Sequence, residues 1–269
     1  MIRFISLALA LGAVACTIDT PVAIVTTDAG PRFTTLPAGS TLPDDATCKA
    51  LVHRTGFEPR PANATANATM PTATQLQRLI SDMPWNSENA YDNRALALEG
   101  RITGAFTGTT DELLQWAACK WGFDEDHVRA EAVASSGWRQ TLASDWTNSP
   151  DPNCPPDATT RTQAGVDQCA QTYGMFQVVW QYHQAAWPMF RDSTAFHLDY
   201  VFALRRACFE GWDTSQGARA TAGVAYAPND EWGCVGAHYS GGWYDQGANY
   251  YIGAVKGQLD ARLWAKPGF

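Results

Sequence analysis

Apolar and polar positions change texture along this chain. Phe4 to Ala15 is mostly apolar and follows the basic start Met1-Ile2-Arg3. That is the shape of a secretory signal, and it is too short to span a bilayer, which takes about 20 residues. From residue 17 to about 105 the chain is rich in Thr, Ala and Pro, with little helical period. Within it, Thr72 to Met83 predicts a short helix, with Leu76, Leu79 and Ile80 on one side. The repeat Asn63-Ala64-Thr65-Ala66-Asn67-Ala68-Thr69 holds two N-glycosylation sequons and reads as a polar, extended loop. The expected organisation is a signal at 1–15, a tether and irregular arm at 16–106, and a mainly α domain at 107–269.

The helical texture begins near Thr107. Thr109-Thr110-Asp111-Glu112 predicts a helix start, because acidic residues favour the positive end of the helix dipole. The apolar positions Leu113, Leu114, Trp116, Ala117 and Cys119 continue it, and Gly122 stops it. A second helix starts at Asp124-Glu125-Asp126 and runs through Val128, Ala132 and Val133 towards Trp138. Arg139 to Gln171 reads as a polar loop. Further helices are predicted from Ser193 to Phe209 and from Gly247 to Trp264. Strand signals are weak and short.

Composition narrows the function classes. Charged residues are 17% of the chain, 27 acidic against 19 basic, for a net charge of −8. An acidic balance argues against general nucleic-acid binding, which needs a basic surface to replace counterions. The seven cysteines divide unevenly. Ala13-Val14-Ala15 fits ordinary signal cleavage, and the same residues followed by Cys16 resemble a bacterial lipobox, with Cys16 as the lipidated residue. The remaining six, Cys48, Cys119, Cys154, Cys169, Cys208 and Cys234, are an even set that an exported protein can oxidise. Cys154 and Cys169 flank a polar stretch and are expected to close it. The other four allow three pairings, and Cys48 is expected to staple the arm to the following domain. No C-x-x-C pair exists and the five His lack ligand spacing, so neither a metal nor another cofactor is expected.

Three separated segments then carry a resemblance. They are Val128 to Trp138 (VRAEAVASSGW), Thr172 to Val178 (TYGMFQV) and His238 to Trp243 (HYSGGW). Their order resembles the lysozyme-like domain of soluble lytic transglycosylases, in which a helix ends in Glu-Ser-Gly-aromatic. A Gly-Leu-Met-Gln segment and an Ala-Tyr-Asn-Ala-Gly segment follow there, before a closing helix. The resemblance covers about residues 107–265. It implies a lysozyme-like fold, a monomer of the bacterial envelope directed at peptidoglycan glycan strands, and membrane contact only through a lipid anchor. Family members use one glutamate as acid and base, with the substrate's acetamido group and 6-hydroxyl completing the reaction.

This chain departs from the family at that glutamate. Ser136-Gly137-Trp138 matches Ser-Gly-aromatic, so Ser135 occupies the place of the acid. A serine cannot act as a carboxylic acid. Glu131 lies four residues earlier on the same helix face, about 6 Å away along the axis, and leans away from the Ser135 site. It serves either as a displaced acid or as a helix-face partner for a base such as Lys120. Asp145 is a second candidate acid or a turn residue. Ser135 as a nucleophile would need a partner such as His238, and its surroundings lack the first glycine of G-x-S-x-G. Gln177 and Tyr239 complete the candidate catalytic set. Trp138, Tyr173, Gly174, Met175 and Trp243 form the candidate substrate-binding set, flat rings and a close-approach glycine that suit sugar rings. Two functions follow: a glycan-cleaving enzyme, or a non-catalytic glycan-binding or scaffold protein on the same fold.

Overall fold

The computed structural model describes residues 25–27, 30–82, 93–218, 220–221 and 223–269. The predicted signal at 1–15 and Cys16, the expected lipidation residue, lie outside them. An antiparallel pair, β1 (Val25–Thr27) and β2 (Gly30–Arg32), precedes α1 (Asp45–Leu51). A 3-10 turn at Pro61–Asn63, α2 (Ala64–Ala68), α3 (Ala73–Asp82) and α4 (Ala95–Glu99) follow. Then come α5 (Thr110–Trp121), α6 (Glu125–Ser136), β3 (Ala143–Asn148), β4 (Thr160–Gln163), β5 (Val166–Tyr173) and β6 (Val178–Val179). The chain closes with α7 (Met189–Asp192), α8 (Thr194–Phe209), α9 (Thr214–Ala218), α10 (Glu231–Ser240) and α11 (Gln246–Ala261). The protein is mainly α.

Local chemistry explains the helix ends. Thr109 and Glu112 form a reciprocal capping box on α5, and Gly122 ends it in the left-handed conformation at φ +65°. Asp124 caps α6 by accepting from two backbone N–H groups, and Gly137 closes it at φ +63°. Ser193 caps α8.

α8 is the centre of the core. It is buried on nearly all sides, with Phe196, Leu198, Val201, Phe202 and Ala203 packed against α5 and α10. Four acidic or basic side chains also sit on it: His197, Asp199, Arg205 and Arg206, all buried. Asp199 accepts from Lys120 Nζ (2.7 Å), Trp121 Nε1 (2.8 Å) and the backbone N–H of Thr103 (2.7 Å) and Gly104 (2.9 Å). Arg206 donates to the carbonyls of Leu36 (2.9 Å) and Pro37 (2.8 Å), which ties the incoming chain to the helix.

Three sequence expectations change. Among the described residues, the segment before residue 107 is not an irregular arm. It carries four short helices, and Phe33, Cys48, Val52, Leu79 and Leu98 belong to the same apolar core as α8. The Asn-Ala-Thr repeat is a turn and a helix rather than an extended loop. Its Asn63 is buried and donates to the Trp138 carbonyl (2.7 Å) and Thr110 Oγ1 (3.0 Å), while buried Asn67 donates to Glu58 (2.8 Å). Neither sequon is presented to solvent. The polar stretch 139–171 is an antiparallel sheet in the order β3-β5-β4, with β6 also on β5. Every residue of β4 is exposed, so it carries no apolar alternation to read.

Three disulfides join Cys48 to Cys119, Cys154 to Cys169 and Cys208 to Cys234. The first links α1 to α5 and so staples the N-terminal segment, and the third links α8 to α10. Such a set belongs to an oxidising compartment. Among the described residues no helix is long and apolar enough to cross a membrane. Replacing Cys48 and Cys119 together by alanine opens a loop of 71 residues. The expected loss of stability is about 4 kcal/mol on the chain-entropy estimate, read as a lower denaturant midpoint with a steeper slope, because the unfolded chain is less compact without the cross-link.

Candidate functional site

The three resembling segments meet at the C-terminal end of α6. Ser135 stands in its last turn, donates to the Glu131 carbonyl (2.9 Å) and lies 2.5 Å from the Tyr251 hydroxyl of α11. The Tyr251 ring stacks on Tyr239 of α10, with centroids 4.8 Å apart and planes at 8°. His238, beside Tyr239, meets the carbonyl of Phe176 through Nε2 (3.0 Å). Phe176 precedes Gln177, so α6, α10, α11 and the 174–177 turn converge on one place.

Glu131 is engaged elsewhere. Its two carboxylate oxygens accept from both terminal nitrogens of Arg205, at 2.5 and 2.8 Å. Glu131 is 2% exposed and Arg205 4%. This is the bidentate geometry that suits guanidinium and carboxylate. The basic partner is Arg205 of α8 and not Lys120, which pairs with Asp199 and Asp45. Burial, and then the Glu131 charge, hold the Tyr251 hydroxyl well above its usual value, so it is a neutral donor. Burial and the nearby Arg205 charge push His238 below its usual value. Ser135 and His238 form no pair. The serine is bonded to Tyr251 and the histidine to Phe176, which leaves no nucleophile–base couple.

The turn carrying Gln177 is held from both sides. Phe176 N–H donates to His197 Nε2 (2.8 Å), and His197 Nδ1 meets the Phe190 carbonyl (2.7 Å). Nε2 is therefore unprotonated and Nδ1 is the donor. Gln177 Nε2 donates to the Gly174 carbonyl (2.7 Å), and its Oε1 accepts from Ser144. Thr172 donates to Asp145 Oδ2 (2.8 Å), leaving an exposed carboxylate at the edge of this polar group. Asp145 and Gln177 both have φ of +52°, and Trp138 has φ +66°. Left-handed backbone at non-glycine residues costs of order 1 kcal/mol each and persists only where surroundings enforce it. Three such positions border this one region.

The expected substrate-binding set is largely core. Trp138, Tyr173, Met175 and Trp243 are 2% exposed or less, so their faces meet protein rather than a glycan. Trp138 donates to the Arg129 carbonyl (3.0 Å) and packs edge-on against Phe269. Tyr173 donates to the Ala170 carbonyl (2.9 Å) and abuts Trp187. A Cβ on Gly233 would lie 2.2 Å from the Trp243 ring. Gly174, at φ +84°, is required by packing, because a Cβ there would lie 2.5 Å from His197. Gln177 is half-buried, and Tyr239 is 56% exposed.

Sequence reasoning missed Tyr250, which is 71% exposed and 6.4 Å from Tyr239 between ring centroids, and it missed Arg205. One signal was available for Arg205, which interrupts an apolar helix where a charge needs a partner. Among the described residues no group of three or more His, Cys, Asp or Glu converges as metal ligands would. No family model, curated protein or solved structure matches the chain.

Two outcomes test this geometry. Arg205→Ala leaves the Glu131 carboxylate buried and alone, and is expected to cost about 3–5 kcal/mol in denaturant unfolding. The double change with Glu131→Gln recovers a large part of that loss. The second concerns acid. Burial lowers His197 from 6.5 to about 3 in the folded state. The unfolded chain therefore binds the extra proton between those values. Stability is complete above pH 6.5 and falls as pH drops towards 3. His197 alone is expected to remove about 2–3 kcal/mol between pH 7 and pH 4.5, and His197→Gln flattens the profile in that window.

Proposed function

We propose that this chain is an exported, lysozyme-like envelope protein that binds peptidoglycan glycan strands at the end of α6 without cleaving them. The carrying observation is the buried bidentate pair of Glu131 and Arg205, which takes the nearest carboxylate away from the position where the family acid would stand. Ser135 fills that position and donates a hydroxyl, not an exchangeable carboxylic proton. Three things support the wider reading: the meeting of the three motif segments, the disulfide set, and the exposed Tyr239 and Tyr250 rings, whose faces suit sugar rings. Export uses the 1–15 signal, with Cys16 as the lipid anchor.

Glycan recognition in this reading is built from aromatic faces and fixed polar groups. Tyr239 is braced by Tyr251 behind it, so its ring is presented at little cost in side-chain entropy. The half-buried Ser135 hydroxyl and the exposed Asp145 carboxylate offer hydrogen bonds to sugar hydroxyl and acetamido groups. A site of this kind can keep binding and lose turnover when its proton donor is replaced.

Purified protein mixed with peptidoglycan sacculi is expected to co-sediment and to release no soluble muropeptides by mass spectrometry. Tyr239→Ala lowers co-sedimentation with unchanged circular dichroism. Ser135→Glu puts a carboxyl beside the Tyr251 hydroxyl and is expected to release muropeptides. Anhydromuropeptides or new reducing ends from wild type, lost in Glu131→Gln or Asp145→Asn, overturn the binding reading in favour of an enzyme. Absence of co-sedimentation overturns the glycan reading altogether.

A further inference from the structure

Most buried or half-buried basic side chains in this acidic protein have a carboxylate partner. Arg129 pairs with Asp111, Arg191 with Asp192, Arg205 with Glu131 and Arg206 with Glu210. Arg60 and Arg139 are different. Neither makes an ion pair among the described residues, and they stand together at the C-terminal end of α6. Arg60 Nε donates to the Gly137 carbonyl (2.6 Å), and Arg139 Nε donates to the preceding carbonyl, that of Ser136 (2.6 Å). The two guanidinium groups are anchored on consecutive carbonyls, close enough for the Arg139 charge to act on Arg60. Arg60 is fixed further by a bond to the Pro59 carbonyl (2.9 Å) and by the Phe269 ring, 3.9 Å below its guanidinium carbon.

The charge at this place is not balanced locally. The C-terminus of a helix carries about half a negative charge, and the two guanidinium groups carry two positive ones. Glu58 is the nearest acid that acts on Arg60, yet its carboxylate is spent on other donors. It accepts from the Arg60 backbone N–H (2.6 Å), Asn67 (2.8 Å) and the N–H and hydroxyl of Thr110 (2.7 and 3.0 Å). Burial and the adjacent Arg139 both push the Arg60 guanidinium below its usual value, as expected for like charges held close. The space beside them is open: a Cβ built on Gly137 meets nothing within 4 Å, and Arg139 is exposed. With both Nε atoms committed to carbonyls, terminal N–H groups of Arg139 remain free to act as a fork.

We infer that Arg60 and Arg139 form an anion subsite, two residues beyond Ser135, that takes a carboxylate carried by the glycan strand. This rests on the glycan-binding reading and names the substituent that the site selects. A guanidinium fork matches a carboxylate in shape and charge. The selection runs against the protein's overall field. At net charge −8 the chain repels polyanions at long range, so a preference for the acidic strand must come from a local site.

The test compares three ligands of equal length on the full chain by calorimetry. They are chitooligosaccharide, which has no carboxylate, peptidoglycan strands stripped of stem peptides, which expose lactyl carboxylates, and strands that keep their stem peptides. Wild type is expected to bind at least one carboxylate-bearing strand about tenfold more tightly than chitooligosaccharide, the scale of one charge-assisted contact. Better binding of stripped strands identifies the lactyl group, and better binding of the others identifies the peptide carboxylate. Arg60→Gln with Arg139→Gln is expected to erase the preference and keep chitooligosaccharide binding. Arg139→Ala alone, at an exposed position, serves where the double variant does not fold, and Arg139→Lys restores part of the preference. Equal affinity for all three ligands in wild type, or an unchanged preference in the variants, overturns the subsite. If no strand binds, the glycan reading fails, and the subsite is judged by the arginine Nε signals in NMR. A shift on adding N-acetylmuramic acid but not N-acetylglucosamine upholds it, and no shift with either overturns it.

Discussion

A helix buried on nearly all sides cannot carry charge without partners, and α8 carries four acidic or basic side chains. Each unpaired charge there would cost several kcal/mol. The surrounding elements are arranged so that none is unpaired. Asp199 draws in Lys120 and Trp121 of α5 and the backbone at Thr103 and Gly104. Arg205 reaches Glu131 of α6, and Arg206 holds the carbonyls of Leu36 and Pro37. His197 fixes the turn at Phe176. One helix thereby sets the positions of α5, α6, the N-terminal segment and the turn bearing Gln177. Disulfides reinforce the same frame, since Cys208 of α8 is bonded to Cys234 of α10.

The same constraint shapes the chemistry at the end of α6. A glutamate bonded through both oxygens to a buried arginine is a structural ion pair, and a proton held there would break it. Tyr251 stays neutral because burial and the Glu131 charge both oppose its ionisation. What faces outwards is therefore the exposed tyrosines, the Asp145 carboxylate and the guanidinium groups of half-buried Arg60 and exposed Arg139. The strained backbone at Trp138, Asp145 and Gln177 borders this face. Strain of this kind is retained where a fixed arrangement of side chains is worth more than a relaxed chain.

Aromatic residues near the motifs were legible as a group but not individually. Trp138, Tyr173 and Trp243 offered flat faces in the sequence, and all three went into the core, while Tyr239 and Tyr250 remained outside. Nothing in the local sequence separates these cases, because burial depends on which neighbours arrive. Trp243 is enclosed by Gly233, ten residues earlier, and Trp138 by Phe269 at the far end of the chain. The sheet was illegible for a related reason. Its strands are solvated on β4 and much of β3, so the alternation that marks a half-buried strand is missing.

Sequence by itself determined what short-range interactions control. Helix starts and stops at Thr109, Gly122, Asp124, Gly137 and Ser193 follow from capping hydrogen bonds and left-handed glycine, which span only a few residues. It also determined that a serine, Ser135, and no carboxylate precedes Ser136-Gly137-Trp138, since that is a matter of register along one helix. Tertiary structure alone decided the pairing of Cys48, Cys119, Cys208 and Cys234, the partner of Glu131, and the isolation of Arg60 beside Arg139. Those outcomes are distances between groups far apart in the chain. They follow from how α8 and its buried charges gather the other elements, and no local pattern of residues encodes them.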